Sequence, residues 1–488
     1  MESSVLEILF KHAKNHPDKP ALIINERIIS YSQLAKNIIG TAKKLDSDGV
    51  TNSNRIILAA QHSASFVFGY FAAHLLGAIA VPVDPQISEK NLRNIIEQTS
   101  PSKIFLAKDN FVNSESIEEL DNQQSEYEVE EFFNIKIKND DVADILFTTG
   151  TTGKPKGVVL THQNILSAAQ NINQFIGNSF EDREVIPLPL SHSFGLGRLR
   201  CNIISGSTMI LCESIVLVKK IFDNIQKWTA TGFCSVPAGF ELLLKMSGEK
   251  LNEFASQLKY IEIGSAPMDI KTKVKLMSLL PNTKICMHYG LTEASRSCFI
   301  EFHSDKEKLN SVGKPSPNVD IKLLDDQKKI VPTGNPGSIY VSGKHVMKEY
   351  WNLADTTEKT FYNNWLNTGD VGKLDEENYL YLLGRQNEII NVGGLKVSPD
   401  EIEEFLNELD FIQDSACVGI PDPKGISGEI IKSFVVLKTD SENKFSKIEI
   451  VDYLRQRIEQ YKIPSEFEII EKIPRTSSGK IQRQLLKN

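Results

Sequence analysis

The sequence predicts an α/β protein of more than one domain, and three observations carry that prediction. The chain has 488 residues, more than one hydrophobic core usually serves. From residue 55 onward, short apolar runs alternate with amphipathic stretches, the pattern of strands and helices packed in layers. The same alternation resumes over 386–488, a stretch the size of a small α+β domain. The boundary is placed between 384 and 385, giving a large domain 1–384 and a small one 385–488.

Each element has a local reason. Val5, Ile8 and Leu9, then Leu34, Ile38 and Ile39, recur at helical spacing. Ala21–Ile24 and Arg27–Ile29 flank Asn25-Glu26 and predict a hairpin. Arg55–Ala59 reads as a strand. The uncharged run Phe66–Val83 approaches the length of a membrane span. Tyr70 and His74 lie inside it, Gly77 interrupts it and Pro82 closes it, so it divides into a buried helix to Leu76 and a strand Ala78–Val83. Leu92–Glu97 is helical and Lys103–Ala107 is the next strand. Residues 108–141 are polar and acidic and read as a surface connection. Asn164–Ile176 is an amphipathic helix. Ile186–Leu190 is held extended by two prolines. Strands follow at Phe233–Val236, Leu258–Ile263, from Lys284 and at Gly337–Ser342. In the small domain, Ser398-Pro399-Asp400-Glu401 opens a helix with acids in its first turn. Ala416–Ile420 and Ser433–Leu437 are strands, and Ile448–Ile458 is a helix.

Composition excludes some partners. A hydrophobic content of 41% and a charged content of 24% are ordinary for a soluble protein. A net charge of −8 argues against bulk nucleic-acid binding, which needs a basic face. The cysteines (Cys201, Cys212, Cys234, Cys286, Cys298 and Cys417) form no CxxC pair, and no secretory signal opens the chain. Reduced thiols and a cytoplasmic location are the expectation.

One loop stands out. The strands Ala143–Phe147 and Val158–Leu160 flank Thr148-Thr149-Gly150-Thr151-Thr152-Gly153-Lys154-Pro155-Lys156-Gly157. Glycines let backbone and ligand approach closely, consecutive N–H groups can form an anion nest, and threonine hydroxyls and lysines add donors and charge. The loop suits a polyphosphate; the plainer alternative is a hairpin turn. It is not a Walker A loop, because Lys154 and Lys156 have no Ser/Thr after them. It resembles the phosphate loop of the AMP-forming acyl-activating enzymes, which include acyl-CoA synthetases, luciferases and adenylation domains. Their pattern is Thr-Ser-Gly-Thr-Thr-Gly-x-Pro-Lys-Gly, and this chain departs from it only at Thr149.

The resemblance continues in family order along nearly the whole chain. Pro187-Leu188-Pro189-Leu190-Ser191-His192-Ser193-Phe194-Gly195 is similar to a core motif that places His192 and Phe194 near the acyl pocket. The residue-level alternative for His192 is a satisfied histidine in a buried loop. Gly264-Ser265-Ala266 ends a strand and leaves room for a flat ring, and the resemblance places adenine there. His288-Tyr289-Gly290-Leu291-Thr292-Glu293 matches Tyr-Gly-x-Thr-Glu, commonly preceded by a glutamine where His288 stands here. Tyr289 offers an aromatic face, Thr292 a hydroxyl to phosphate, and Glu293 a hard oxygen for Mg2+. Thr148 is the second candidate for the metal. Asp370, between two glycines, and Arg385 are assigned to ribose and phosphate; an Asx-type turn is the alternative for Asp370. Asn387 falls at the hinge. Gly393, Gly394 and Lys396 would meet the thiol-bearing substrate, unless Lys396 is simply solvated. Pro474-Arg475-Thr476-Ser477-Ser478-Gly479-Lys480 brings the lysine that enters the active site in this family, where a solvated tail lysine would otherwise be read.

Two arginines stand apart from the motifs. Arg198 and Arg200 cannot share a helix face at a spacing of two. Surface or capping roles are expected, with Arg198 the candidate to hold a second carboxylate of a substrate. Phe240 is either core or the lining of a substrate tunnel.

The family relation implies a large N-terminal domain of α/β subdomains plus a β-rich part, with a small mobile α+β C-terminal domain. It also implies the chemistry. A carboxylic acid attacks the α-phosphorus of ATP, pyrophosphate leaves, and a thiol then takes the acyl group from acyl-AMP. Catalytic candidates are Lys480, Glu293, Thr148 and His192. Nucleotide and cosubstrate candidates are Thr148, Thr149, Gly150, Thr151, Thr152, Gly153, Lys156, Gly264, Ser265, Ala266, His288, Tyr289, Gly290, Thr292, Asp370, Arg385, Lys396 and Lys480. Cofactors are ATP and Mg2+, with CoA or a carrier protein's phosphopantetheine as acceptor. Loading of a carrier protein in trans and an inactive nucleotide-binding regulator are the rivals. No GxSxG elbow, HExxH site or GxGxxG loop supports a hydrolase, zincin or dehydrogenase.

Overall fold

The computed structural model describes residues 4–107, 113–121, 123, 137–148, 155–385, 388–392, 395–423, 429–439, 446–475, 479 and 481–487. Thr149, Gly150, Thr151, Thr152, Gly153, Asn387, Gly393, Gly394 and Lys480 lie outside these residues, and of Lys396 the backbone alone is described. The chain divides into two compact units, Met1–Ile321 with Val341–Leu366, and Lys322–Tyr340 with Asn367–Asn488.

The first unit is built on two sheets. The seven-stranded sheet runs Glu349–Tyr350, Lys156–Thr161, Val142–Thr148, Ile79–Val83, Arg55–Ala59, Lys103–Leu106 and Glu115–Ser116. Its inner strands are parallel, and Val142–Thr148 and Lys156–Thr161 form an antiparallel hairpin. The nine-stranded sheet runs Lys314–Pro315, Cys298–Glu301, Lys284–Tyr289, Tyr260–Ile263, Gly232–Ser235, Arg183–Ile186, Thr208–Leu211, Pro20–Ile24 and Arg27–Ser30. Six neighbouring strands are parallel, from Lys284–Tyr289 to Pro20–Ile24. Ile210, Val185, Phe233, Ile261 and Ile285 from consecutive strands share one core with Ile221, Phe240 and Leu276 from the covering helices. Phe240 is therefore a core residue.

The apolar run 66–83 resolves as its composition suggested. Ser63 caps the helix Ala64–Leu75 by accepting from Phe66 N–H, and every residue of that helix is buried. Gly77 turns the chain at φ +68° into the fully buried strand Ile79–Val83. No helix among the described residues is long and apolar enough to cross a membrane. The hairpin at Asn25-Glu26 has both turn residues at positive φ, which fits a tight two-residue connection. The six cysteines are all buried and free.

Two readings of residues 186–200 are corrected. The strand ends at Ile186 rather than running on through the prolines, and Ser193–Ser205 is a helix that contains Phe194, Gly195 and Gly197. The glycines fit because of close approach: a Cβ on Gly195 would lie 2.4 Å from the Pro189 carbonyl oxygen, and one on Gly197 would lie 2.5 Å from the Arg296 guanidinium. Arg198 and Arg200 are buried, not at the surface, because carboxylates wait for each inside. They enter different networks, as their spacing requires.

The second unit carries the strand Trp365–Leu374 from Asn367 onward, paired antiparallel with Leu380–Arg385, and the hairpin Ile390–Val392 with Leu395–Val397. A three-stranded sheet of Ile412–Pro421, Glu429–Leu437 and Glu466–Ile469 packs with the helices Pro399–Asn407 and Lys447–Arg455. Ser398 caps the first of these helices, Pro399 opens it, and Asp400 and Glu401 fill its first turn.

Candidate active site

In the nine-stranded sheet the parallel strands end together, and the loops leaving them carry seven of the predicted residues. His192 follows Arg183–Ile186, Gly264-Ser265-Ala266 follows Tyr260–Ile263, and Gly290 through Glu293 follow Lys284–Tyr289. This carboxyl edge is where open α/β sheets bind ligands. His192 is exposed and stands at the N-cap of Ser193–Ser205, with no side-chain capping bond. It is thus not a satisfied buried histidine. Ser265 holds φ +79°, a costly conformation for a residue with a Cβ. Gly264 is required by its neighbour, since a Cβ there would come within 2.0 Å of the His288 ring. Tyr289 is largely buried at 8% exposure. Gly290 is equally constrained: a Cβ would lie 2.3 Å from the Arg296 backbone nitrogen.

The loop that bears Thr292 and Glu293 is tied to the hairpin that flanks the Gly/Thr stretch. Thr148 ends one strand of that hairpin and Lys156 begins the other, the two being cross-strand partners. Glu349–Tyr350 pairs antiparallel with Lys156–Thr161, Tyr350 lying opposite Val158. From there the Tyr350 hydroxyl donates to Glu293 Oε1 at 2.7 Å, and Lys156 Nζ lies 5.4 Å from the centre of the Tyr350 ring. Met347 N–H also donates to the Glu293 carbonyl at 2.8 Å. Tyr350 was not anticipated, because a two-residue strand leaves no periodicity to read.

Buried charges fix the ground beneath both regions. Asp144, inside Val142–Thr148, is fully buried and meets the Tyr70 hydroxyl at 3.1 Å, His74 Nε2 at 3.0 Å and Arg200 Nη2. Glu262, on Tyr260–Ile263, lies 2.8 Å from His288 Nδ1, 3.1 Å from Arg296 Nε and 3.2 Å from Arg198 Nη1. Burial opposes its charge, but Arg296, His288 and Arg198 together outweigh that and hold the carboxyl well below the usual range. Arg296 also donates to the Ser193 and Phe194 carbonyls at 2.8 and 3.0 Å, which fixes the start of that helix. Arg198 is spent on Glu184 at 2.7 and 2.6 Å, so it is not placed to receive a substrate.

In the second unit Asp370 and Arg385 are cross-strand partners, with Arg385 Nε 3.0 Å from Asp370 Oδ1. Arg385 also donates to the Thr368 carbonyl at 3.0 Å. The Asx-type bond in this region is made by Asn367, which accepts from Gly369 N–H at 3.0 Å; Asp370 sits in the strand. Lys396 lies on Leu395–Val397. Both flanks of position 480 are anchored. Arg475 donates to the Gly479 carbonyl at 2.8 Å and grips Asp414 at 2.7 Å. Arg483 meets Glu403 at 2.8 and 2.9 Å and Glu388 at 3.4 Å. Neither arginine was singled out by sequence, since each reads as tail charge.

The residues present suit Mg2+. Among the described residues no group of three or more His, Cys, Asp and Glu could cage an ion. Tyr350 occupies one oxygen of Glu293 and leaves the other for a cation whose remaining ligands are phosphate oxygens and water, the usual Mg2+ arrangement.

The chain belongs to the AMP-binding enzyme family, which matches residues 9–351, and the family's C-terminal domain matches residues 401–480. It is an AMP-forming acid–thiol ligase. It is 29% identical to a 2-succinylbenzoate–CoA ligase of Bacillus subtilis (strain 168), over 98% of this chain and 97% of the relative. It is 28% identical to a 4-coumarate–CoA ligase-like 6 protein of Arabidopsis thaliana, over 90% and 82% of the two chains. The solved o-succinylbenzoate CoA synthetase of Bacillus subtilis in complex with its acyl-adenylate superposes with a TM-score of 0.88 at 28% identity, covering 99% of this chain and 98% of that one. The same enzyme with ATP and magnesium ion gives a TM-score of 0.86 at 27% identity, over 99% of each chain.

Proposed function

We propose that this ligase condenses a small carboxylic acid with ATP to acyl-AMP and pyrophosphate, then transfers the acyl group to the thiol of CoA with release of AMP. The observation that carries the reading is the Tyr350 bridge, which ties the Glu293 loop to the strand beginning at Lys156. CoA is preferred as acceptor because both named curated relatives are CoA ligases or ligase-like proteins. The working domain boundary is 384/385.

The roles follow from charge. Attack of a carboxylate on a phosphate brings two anions together, so positioning and electrostatic stabilisation are the protein's main contribution. Lys156 and the loop residues Thr148, Thr149, Gly150, Thr151, Thr152 and Gly153 hold the outer phosphates, with Thr292 as a further hydroxyl. Glu293 and Thr148 would hold Mg2+, which neutralises phosphate charge when bound. Gly264, Ser265, Ala266, Tyr289 and Gly290 frame the adenine. Asp370 accepts the ribose hydroxyls and Arg385 orients Asp370. Lys480 offsets charge at the reacting carboxylate and α-phosphate, and His192 faces the acid. Lys396 contacts the thiol substrate.

ATP–pyrophosphate exchange over short, aromatic, long-chain and dicarboxylic acids tests the first half-reaction. Acyl transfer to CoA against transfer to isolated carrier protein tests the second. Exchange with at least one acid and transfer to CoA are expected. Exchange with none, or transfer to carrier protein alone, would overturn the respective half.

A further inference from the structure

The helix Ser193–Ser205 is fastened to both sheets of the first unit. At its start the Ser193 and Phe194 carbonyls accept from Arg296, whose Nε donates to Glu262 on the nine-stranded sheet at 3.1 Å. Farther along, Arg200 reaches Asp144 on the strand Val142–Thr148 of the seven-stranded sheet. That strand ends at Thr148, where the Gly/Thr loop opens. The hairpin register shifts between Val142 and Asp144, an irregularity of the kind that re-aims a side chain. Asp144 Oδ2 accepts from Arg200 Nη2 and from the Tyr70 hydroxyl at 3.1 Å, while Oδ1 lies 3.0 Å from His74 Nε2. The same tyrosine oxygen accepts from Arg200 Nε at 3.0 Å and Nη2 at 2.8 Å. All four side chains are buried. One carboxylate meets one guanidinium, and a buried pair of this kind adds little stability over apolar side chains of the same volume. Its distinct contribution is geometric: the planar fork fixes direction as well as distance, where an apolar contact can slide. Arg200 also lines a small cavity with Ser193, Thr292 and Ser295, so a loop of the nine-stranded sheet meets the joint as well.

We propose that Arg200 and Asp144 are positioning residues that hold the phosphate loop in register with the loops of the nine-stranded sheet. This rests on the ligase reading above, in which adenine sits on Gly264, Ser265 and Ala266 and the outer phosphates on the Gly/Thr loop. ATP then spans the two sheets, and pyrophosphate leaves correctly only when both ends of the nucleotide are held at one spacing. AMP and acyl-AMP lack the outer phosphates and do not span the joint. A misplacement of about 1 Å costs roughly a hundredfold in rate, so a small slip is enough to measure. The role requires no contact with substrate.

The test compares two variants of the full chain with the parent. Arg200→Lys keeps the charge and loses the fork, and Tyr70→Phe keeps the ring and removes the oxygen that both partners share. In ATP–pyrophosphate exchange, kcat/KM for ATP should fall by about tenfold or more in Arg200→Lys and by a smaller factor in Tyr70→Phe. The Kd of AMP, measured by calorimetry, and the rate of thioester formation from supplied acyl-AMP should stay within about twofold of the parent. A smaller loss with ATP in Arg200→Lys overturns the proposal. So does a loss in AMP affinity or thioester formation that matches the loss with ATP, which would make the pair merely structural. Hydrogen exchange of the unsubstituted chain decides even if both variants fail to fold. Amides of 142–148 and of 197–203 should open together, with protection within about tenfold, and a wider gap overturns the joint. Exchange by the parent with no loss in the variants defeats this proposal alone, whereas a parent that exchanges with no acid defeats the ligase reading as well.

Discussion

Tyr350 and Glu293, 57 positions apart in the chain, share a hydrogen bond of 2.7 Å that joins an edge strand to a loop within the first unit. The tyrosine reaches the carboxylate because its strand is pinned to Lys156–Thr161 by the pairs Glu349 to Val159 and Tyr350 to Val158. Removing the hydroxyl by Tyr350→Phe leaves the fold and releases Glu293. Apparent Mg2+ affinity in pyrophosphate exchange should fall several-fold, and kcat/KM for ATP by about tenfold, the scale of one charge-assisted hydrogen bond. An unchanged Mg2+ titration would count against Glu293 as the ion's ligand.

Arg198 is a stability residue. Its side chain is wholly buried between Glu184 and Glu262. Arg198→Met leaves two buried carboxylates short of their partner, and such a break costs roughly 3–5 kcal/mol. Urea unfolding of the variant should show a midpoint lowered to match. A change below about 1 kcal/mol would mean that the cluster rearranges or hydrates freely.

Lys480→Ala should separate the half-reactions. Acyl-AMP formation should drop by about a hundredfold or more, while thioester formation from supplied acyl-AMP should be nearly intact. Equal losses in both would remove the lysine from its assigned step.

The second unit should weaken as pH rises. Glu403 is buried beside Asp400, and burial together with that neighbour pushes its carboxyl up to about 8 despite Arg483. The folded state then binds this proton more tightly than the unfolded chain, where a glutamate titrates near 4.3. The associated stability is full below that value and is lost as pH climbs through about 8. The stability difference between Glu403→Gln and the parent chain should therefore grow in the variant's favour from pH 5 to 8.5. A flat difference would show Glu403 to be ionised throughout.

Much of this molecule was legible before its structure. The hairpin around the Gly/Thr loop, the helix and strand within 66–83 and the helix opening at Ser398 each carry local signals: alternation, a glycine stop, a cap. The helix Ser193–Ser205 was illegible because glycines argue against helix, and only the approach of Pro189 and Arg296 explains them. The arginines at 198 and 200 were misread for a related reason. A charge looks like surface until its partners are known, and Glu184, Glu262 and Asp144 all lie on other elements, beyond the reach of a helix periodicity. Tyr350 and Glu262 were missed because neither belongs to a motif; each acts through a residue that does.

The cysteines have a practical consequence. All six are enclosed, and burial drives the thiols of Cys201, Cys212, Cys234, Cys286, Cys298 and Cys417 upward, away from the reactive thiolate. The native chain should therefore resist alkylating reagents, and labelling should begin only as a given unit opens. Cys417 reports on the second unit and the other five on the first, so mass spectrometry of modified peptides gives two independent clocks for unfolding without any engineered probe.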